Sequence, residues 1–271
     1  MPYLWLRVAI LFYAAGLVYA LVSLTGKRQV LARVVLPLAG LGTVFHFVSL
    51  AEAAIASGHL APVISYQSAS LLALLLMLFF FGVYWRYKTA SHGIFVFPLV
   101  FLLALSASLA EQPPQFSSPL LRSGWILLHI ALIFAGYAAL FFSFVSSLLY
   151  LVQERSLKAN HLDGFLGRLP SLAVIDDIGF RSLVLGFPFM TLGLVAGSVL
   201  AQESFGASYF RDPKIVLSLL MWGVYLLLLF SRWSAGWRGR RAALLSTAAF
   251  ASATLAWAAN YFSTMHRFVT P

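Results

Sequence analysis

Residues 124–140 have the sequence GWILLHIALIFAGYAAL, which is apolar except for a single histidine, His129. The apolar character continues to about residue 152. A helix needs roughly 20 apolar residues to cross a bilayer, so this stretch predicts a membrane-spanning helix. Ionisable side chains within such helices are rare and tend to be functional. His129 is therefore the first candidate site residue.

The whole chain has the composition of a membrane protein. Of its 271 residues, 61% are hydrophobic and 10% are charged, and the mean hydropathy is +0.91. Lipid covers such an excess of apolar surface, whereas a soluble core does not. Length and hydropathy predict eight spans, at about residues 3–24, 35–56, 66–85, 92–110, 124–152, 183–201, 214–231 and 242–262.

These spans predict an all-α polytopic membrane protein, a bundle of about eight transmembrane helices. Most loops between the spans are short, so residues 1–271 are expected to form a single transmembrane domain. The longest loops are predicted at 111–123, 153–182 and 202–213.

The positive charges predict the orientation of the bundle. The net charge is +10, but the basic residues lie in short clusters between the apolar runs. The loops after the first, third, fifth and seventh spans carry most of them, and by the positive-inside rule these loops are cytoplasmic. Both termini and the loop 202–213 are then extracytoplasmic. Because topology explains the charge, we predict no nucleic-acid partner.

The chain contains no cysteine. This excludes disulfides, thiolate metal sites and a cofactor attached through cysteine. A metal centre in this chain would have to use other ligands, of which histidine is the commonest.

Two histidines fall at the same predicted membrane level. His129 lies about one turn into the fifth span from the outer side, and His266 lies just past the outer end of the eighth. Neutral imidazoles are good ligands for haem iron, and two of them can hold it from opposite faces. The alternative for a single histidine near a helix end is an interfacial hydrogen-bonding group. The matching level of the two histidines favours a ligand pair.

Three further histidines have less specific patterns. His46 lies near the middle of the second span and fits equally well a ligand, a relay or a group hydrogen-bonded to a neighbouring helix. His92 and His161 lie at or beyond the cytoplasmic face, so we expect them to be solvated.

Aromatic and cationic residues lie near the predicted level of the histidine pair. A haem has an apolar edge and anionic propionates, so it would suit an outer groove with aromatic walls and nearby cations. Aromatic residues at this level also form ordinary interfacial belts, which is the alternative. The candidate walls are Trp125, Phe205, Tyr209, Phe210 and Tyr261, and the candidate cations are Arg122, Arg211, Lys214 and Arg267.

The segment FGASYFRDPKI at residues 205–215 joins the sixth and seventh spans. Asp212 is predicted to cap the seventh helix, and Pro213 fits its first turn. The segment resembles the tryptophan-rich outer loop of the haem-handling membrane proteins of cytochrome c assembly, the CcsA type. That family pattern is W-G-x-Y-W-x-W-D-P-K-E. Gly206, Asp212, Pro213 and Lys214 stand where the pattern expects them, while its tryptophans, tyrosine and glutamate are replaced.

Other stretches carry the same resemblance. LLHIALIFAGYAAL at 127–140 is similar to the family helix that bears the first outer histidine, and ANYFSTMHRF at 259–268 falls where the second one lies. LPSLAVIDDIGFRSLVLGFPFMTLGLVAGSVLA at 169–201 is similar to the segment before the loop. The resemblance covers about residues 120–271 well and the first half of the chain loosely.

The resemblance implies a haem-binding, multi-pass protein of the bacterial cytoplasmic (inner) membrane. It implies that His129 and His266 hold haem b without a covalent bond, and that the outer loop positions the haem for delivery. The implied partners are an apocytochrome c and a second assembly subunit. The thiols of the apocytochrome would form the covalent bonds, so the chain itself is not expected to be an enzyme.

One departure from the family leaves a second function open. Longer members have a histidine in the span after the loop, where this chain has Phe230. The short chain and the early His46 are similar to the compact HemX-like branch, which is linked to control of glutamyl-tRNA reductase in haem synthesis. A regulator of that enzyme is therefore the alternative function.

A transporter or channel without haem is a further alternative. The predicted spans contain few charged or ionisable groups, mainly Arg7, His46 and Glu52. An ion or proton pathway usually needs more of them facing one another, which disfavours this alternative. Because a bis-histidine haem has redox chemistry, electron transfer also stays open.

Overall fold

The computed structural model describes residues 2–24, 30–57, 65–109, 124–160, 164–259 and 262–263. Within these ranges the chain forms eight α-helices, joined by turns and short 3₁₀ segments. The helices are α1 Pro2–Leu24, α2 Val30–Ser57, α3 Ser65–Tyr87, α4 Gly93–Leu109, α5 Gly124–Lys158, α6 Leu172–Phe205, α7 Pro213–Trp233 and α8 Arg240–Ala258.

The length and composition of these helices fit a bilayer. In the described ranges, α1, α2, α3, α5, α6 and α7 are long and apolar enough to cross a membrane. α4 is also apolar but shorter, with 17 residues. The chain is an all-α polytopic membrane protein, which confirms the predicted fold class. The side of the membrane on which the termini lie stays a prediction.

The surface of α7 is typical of a helix in lipid. Leu220, Leu227 and Phe230 are exposed, whereas Ser218 and Tyr225 are buried. A surface helix of a soluble protein has the opposite arrangement, with its apolar side chains turned inward. The exposed apolar side chains therefore indicate that lipid covers this face.

The loop predicted at 153–182 is wrong, because most of that segment is helical. α5 continues to Lys158, and α6 begins at Leu172 rather than near residue 183. Hydropathy detects only the apolar part of a helix, and both helices have polar ends. In α6 the polar end is supported by an ion pair one turn apart, with the Nε atom of Arg181 2.9 Å from Oδ2 of Asp177.

The described residues divide into two compact units, and the predicted single domain stays a prediction. The first unit draws on 1–124 and 155–171, and the second on 125–154 and 172–271. In the first unit, α1 packs against α2 and α4, and α3 packs against α4 and α2. The ring of Phe97 lies 5.0 Å from that of Phe80, measured between centroids, in the core of this unit.

His92 is fully buried in the first unit, so the expectation that it is solvated is wrong. It lies in the turn before α4, where its main-chain carbonyl accepts hydrogen bonds from the N–H groups of Phe95 and Val96. Burial lowers the pKa of His92 to about 4. In the sequence, only the position of His92 at the end of a predicted span indicates its environment. That position does not show how a turn packs against the helices.

In the second unit, glycines of α5 and α6 bring these two helices close together. A Cβ atom built on Gly186 would lie 2.9 Å from the Cβ of Ala139, and one built on Gly136 would lie 3.1 Å from the main-chain nitrogen of Met190. Small residues allow this approach, which is a common mode of helix packing in membranes. The close contact of α5 with α6 positions the side chains described below.

The segment 202–213, predicted as an outer loop, is helical for most of its length. α6 continues to Phe205, and a 3₁₀ segment follows from Gly206 to Arg211. Gly206 has a φ of +60°, a backbone conformation that favours glycine, and it marks the change from one helix to the next. Asp212 then leads into α7.

Candidate functional site

The imidazole of His129 is held by the main chain of α6. His129 lies in the second turn of α5 and is half-buried. Its Nδ1 atom is 2.7 Å from the carbonyl oxygen of Gly193. Because a carbonyl oxygen only accepts hydrogen bonds, Nδ1 carries the proton and donates it. In the neutral ring the lone pair then lies on Nε2, for which the described residues provide no hydrogen-bond partner.

Gly197 leaves the space in which the His129 ring lies. A Cβ atom at position 197 would be 2.5 Å from Cε1 and 2.6 Å from Nδ1 of His129. A Cβ at Gly193, one turn earlier, would be 2.8 Å from Cδ1 of Ile133. The absence of a side chain at position 197 therefore leaves room for the ring against α6, and its absence at position 193 lets Ile133 of α5 pack close to the same helix.

Asp212 caps α7 as predicted and ties a second segment to it. Its Oδ1 atom accepts a hydrogen bond from the main-chain N–H of Lys214 at 2.9 Å. Its Oδ2 atom accepts one from the hydroxyl of Ser263 at 2.8 Å. The carboxylate is buried, with 5% of the residue exposed. Ser263 follows α8 and precedes His266 by three residues in the sequence.

Some of the predicted site residues lie outside the described part of the chain. His266 and Arg122 are among these, so the pairing of His129 with His266 stays a prediction. Phe205 lies in the last turn of α6, and only its backbone is described.

The remaining predicted aromatic and cationic residues differ in their exposure. Tyr209 is buried, while 56% of Phe210 is exposed, and their ring centroids are 4.1 Å apart. Trp125 is 60% exposed at the start of α5, and Arg211 is exposed in the 3₁₀ segment. Phe210, Trp125 and Arg211 are therefore accessible to a ligand or to lipid. Tyr209 is buried and packs against the ring of Phe210.

His46 lies in the first unit and is fully buried. Its Nδ1 atom is 3.2 Å from the hydroxyl of Tyr13, and its Nε2 atom is 2.8 Å from the hydroxyl of Ser70. Both ring nitrogens therefore have hydrogen-bond partners, on α1 and α3. This arrangement favours the third of the interpretations from the sequence, a histidine bonded to neighbouring helices.

A second polar cluster, at the other end of the second unit, was not found from the sequence. The guanidinium of Arg232 makes two hydrogen bonds to the carboxylate of Asp176, at 2.8 and 2.9 Å, and lies over the ring of Phe180. The cleft beside this pair has room for about one water molecule. Its hydroxyl groups come from Ser143, Ser146, Ser147, Tyr150 and Ser246.

The fold and the environment of His129 define a class of protein, a polytopic membrane protein with a histidine whose tautomer and orientation are fixed near a helix end. The chain belongs to the cytochrome c assembly protein family. The family model described as "Cytochrome C assembly protein" matches residues 64–266. The matched range contains His129, Asp212 and Lys214 and ends at His266, whereas His46 precedes it.

Individual relatives agree with this assignment and confirm the resemblance to the CcsA type. The chain is 30% identical over 220 residues to cytochrome c biogenesis protein CcsA of Heterosigma akashiwo, with 68% of each chain covered. For the CcsA protein of Guillardia theta the identity is 30% over 202 residues, with 67% of each chain covered. For that of a Synechococcus species it is 34% over 150 residues, covering 47% of this chain and 49% of the relative.

Proposed function

We propose that this protein holds haem b non-covalently between His129 and His266 at the predicted outer end of its helices, for handling in cytochrome c assembly. The observation that carries the proposal is the hydrogen bond from Nδ1 of His129 to the carbonyl oxygen of Gly193. It leaves Nε2 with the lone pair that a metal ligand needs, within a family whose model describes cytochrome c assembly.

The environment of His129 fits an axial ligand. Histidines that bind metals usually donate their other ring N–H to a carbonyl or a carboxylate, which fixes the ring and raises its basicity. Gly193 provides this partner, and the space left by Gly197 fits the flat ring. A histidine that only joins helices is expected to have hydrogen-bond partners for both ring nitrogens, as His46 does. His129 has such a partner for Nδ1.

When bound, haem would supply an iron that accepts histidine nitrogens as ligands and that can change its oxidation state. The residues of this chain would bind and orient it. His129 and His266 would be the axial ligands, while Trp125, Phe205 and Phe210 would cover the apolar edge. Buried Tyr209 would hold Phe210 in place.

The polar residues would act around the haem and its two histidine ligands. Arg122 and Arg211 would face the propionates, and Asp212 would fix the start of α7 and the segment at Ser263. His46, which the sequence also offers as a haem ligand, would instead hold α2 to α1 and α3, because both of its ring nitrogens have hydrogen-bond partners there.

The proposed partners follow from the same hypothesis. The protein spans a lipid bilayer, which we propose to be the bacterial cytoplasmic membrane. An apocytochrome c and a second assembly subunit would receive the haem or complete the site. The HemX-like alternative, control of glutamyl-tRNA reductase, predicts a different partner. Co-purification after cross-linking in cells separates the two, because apocytochrome is expected under assembly and the reductase under regulation.

Haem content is the direct test of the proposal. The wild-type protein, purified in detergent after expression with sufficient haem supply, is expected to carry haem that a pyridine haemochrome assay quantifies. The variant His129→Ala with His266→Ala is expected to lose most of it. His161→Ala, which removes an imidazole from the segment between α5 and α6, is the matched control. Equal haem content in all three proteins would refute the proposed site.

A further inference from the structure

The turn between α7 and α8 carries positive charge that the described residues do not balance. Arg238, Arg240 and Arg241 are exposed in it, and the sequence from residue 213 to residue 271 contains no aspartate or glutamate. Within the described ranges, none of the three arginines makes an ion pair. Because neighbouring positive charges repel one another, an anion bound among them would stabilise the turn.

The acidic side chains at the same end of the second unit are already engaged. Asp176, near the start of α6, makes two hydrogen bonds to Arg232, near the end of α7, so the start of α6 lies beside the end of α7. Asp177 pairs with Arg181 one turn along α6, and Glu154 near the end of α5 is engaged as well. The charge of the three arginines is therefore left for an anion from outside the described part of the chain.

The turn that bears the three arginines is anchored to two helices. The main-chain N–H of Trp237 donates a hydrogen bond to the carbonyl oxygen of Ser231 in α7, at 3.1 Å. Gly239 lies against α5, where a Cβ atom built on it would be 2.7 Å from the hydroxyl oxygen of Tyr150. A backbone that is already fixed loses little conformational freedom when a ligand binds. The three arginines are thus presented on a fixed base at the surface of the unit.

Exposed apolar side chains continue from the turn along both helices. Trp233 and Trp237 are 74% and 39% exposed, and tryptophan is enriched at the level of lipid headgroups. Phe230, one turn before Trp233, and Leu244, in the second turn of α8, are also exposed. A soluble anion would contact the arginines alone, whereas a phospholipid would contact the arginines with its headgroup and this apolar surface with its acyl chains. The combination favours a lipid.

We propose that the turn at residues 233–241 binds an anionic phospholipid, with its phosphate on Arg238, Arg240 and Arg241 and its acyl chains along the exposed faces of α7 and α8. Guanidinium groups bind phosphate oxygens through paired hydrogen bonds that the charges strengthen. Three such groups suit a headgroup with two phosphates, so cardiolipin is the lipid expected to bind most tightly. This inference does not depend on the proposed function.

The test measures lipid binding to the full-length protein in detergent, with native mass spectrometry counting the lipids retained. Cardiolipin and phosphatidylcholine are titrated separately, and the wild type is expected to bind cardiolipin more tightly by about 10-fold or more. The triple variant Arg238→Gln, Arg240→Gln and Arg241→Gln is expected to bind cardiolipin about 10- to 100-fold more weakly and phosphatidylcholine like the wild type. Replacement of the same three arginines by lysine keeps the charge and is expected to retain tighter cardiolipin binding than the glutamine variant.

Basic loops also set the orientation of membrane proteins without binding a particular lipid, and a matched control tests this alternative. Arg155→Gln with Lys158→Gln and Arg168→Gln removes as many exposed charges between α5 and α6, and is expected to leave cardiolipin binding unchanged. An equal loss in this control, or equal binding by the glutamine variant of the turn and the wild type, would overturn the inference. Displacement of cardiolipin by polyglutamate would also overturn it, because the turn would then prefer an acidic protein.

Discussion

The ring of His129 lies where a side chain at position 197 would be, since a Cβ atom built on Gly197 falls 2.5 Å from Cε1 of His129. Together with the bond from Nδ1 to the Gly193 carbonyl, this contact leaves the imidazole with one position on α6. A ligand with a fixed ring and a fixed tautomer loses little conformational freedom on binding a metal. The two glycines are therefore part of the proposed site through the imidazole that they position.

Replacement of Gly197 by alanine tests this relationship. The added methyl group must displace the imidazole, so the affinity for haem is expected to fall about 10- to 100-fold, as for other groups that orient a metal ligand. Gly223→Ala in α7 is the matched control, because no heavy atom lies within 4 Å of a Cβ at that position. Titration with haemin measures both variants. An affinity for Gly197→Ala equal to that of the wild type would mean that the ring does not need this space.

The neighbouring residues Asp176 and Asp177 are expected to differ in their effect on stability. Asp176 pairs with Arg232, whose side chain is only 9% exposed, so Asp176→Asn leaves a buried charge without its partner. The free energy of unfolding is expected to fall by about 3–5 kcal/mol. Asp177 pairs with Arg181, which is 60% exposed, and Asp177→Asn is expected to cost no more than about 1 kcal/mol. Thermal unfolding in detergent compares them, and equal shifts would contradict the assignment.

Burial of His92 predicts a dependence of stability on pH. Its pKa is about 4 in the folded protein and near 6.5 when exposed, so between these values the unfolded chain binds more protons. Stability is therefore complete above about pH 6.5 and falls as the pH drops towards 4, by up to about 3 kcal/mol. The variant His92→Gln cannot titrate and is expected to have a shallower slope. The carboxylates titrate in both proteins, so the difference between the two slopes of stability against pH is the contribution of His92. Identical slopes would contradict the burial of a neutral His92 in the folded protein.

The orientation of the helices is a separate prediction from the charge pattern. Reporter fusions after residues 118 and 271 are expected to be active on the extracytoplasmic side, and a fusion after residue 160 on the cytoplasmic side. Paired reporters with opposite requirements, such as alkaline phosphatase and green fluorescent protein, measure this directly. The reverse pattern would place His129 near the cytoplasmic face and remove the proposed route to an apocytochrome.

The sequence predicts the helices well because membrane spans depend on local composition. The sequence also singles out His129, since a histidine in a long apolar run is unusual, and its role as a ligand stays a prediction. The partners of His129 are not predictable in the same way. Gly193 and Gly197 have a spacing of four residues that any close helix pair in a membrane can use. Only the three-dimensional structure connects them with a ring on another helix.

The same distinction explains the errors. Asp176 and Arg232 are 56 positions apart, and nothing local indicates that they pair. Hydropathy predicts the polar ends of α5 and α6 as a loop because it does not report helices that continue beyond the apolar segment. Burial of His92 likewise depends on packing of the turn against the rest of the first unit. In each case the missing information is tertiary, whereas the correct predictions rest on local pattern.

Axial ligation by His129 is the central claim, and rescue by a free ligand tests it most directly. The absorption spectrum of the reduced wild-type protein is expected to be that of a low-spin, bis-imidazole haem. In His129→Ala this spectrum should be lost, and addition of imidazole to the purified variant should restore it by occupying the vacated position. A His129→Ala protein that keeps the wild-type spectrum without added imidazole would contradict the account.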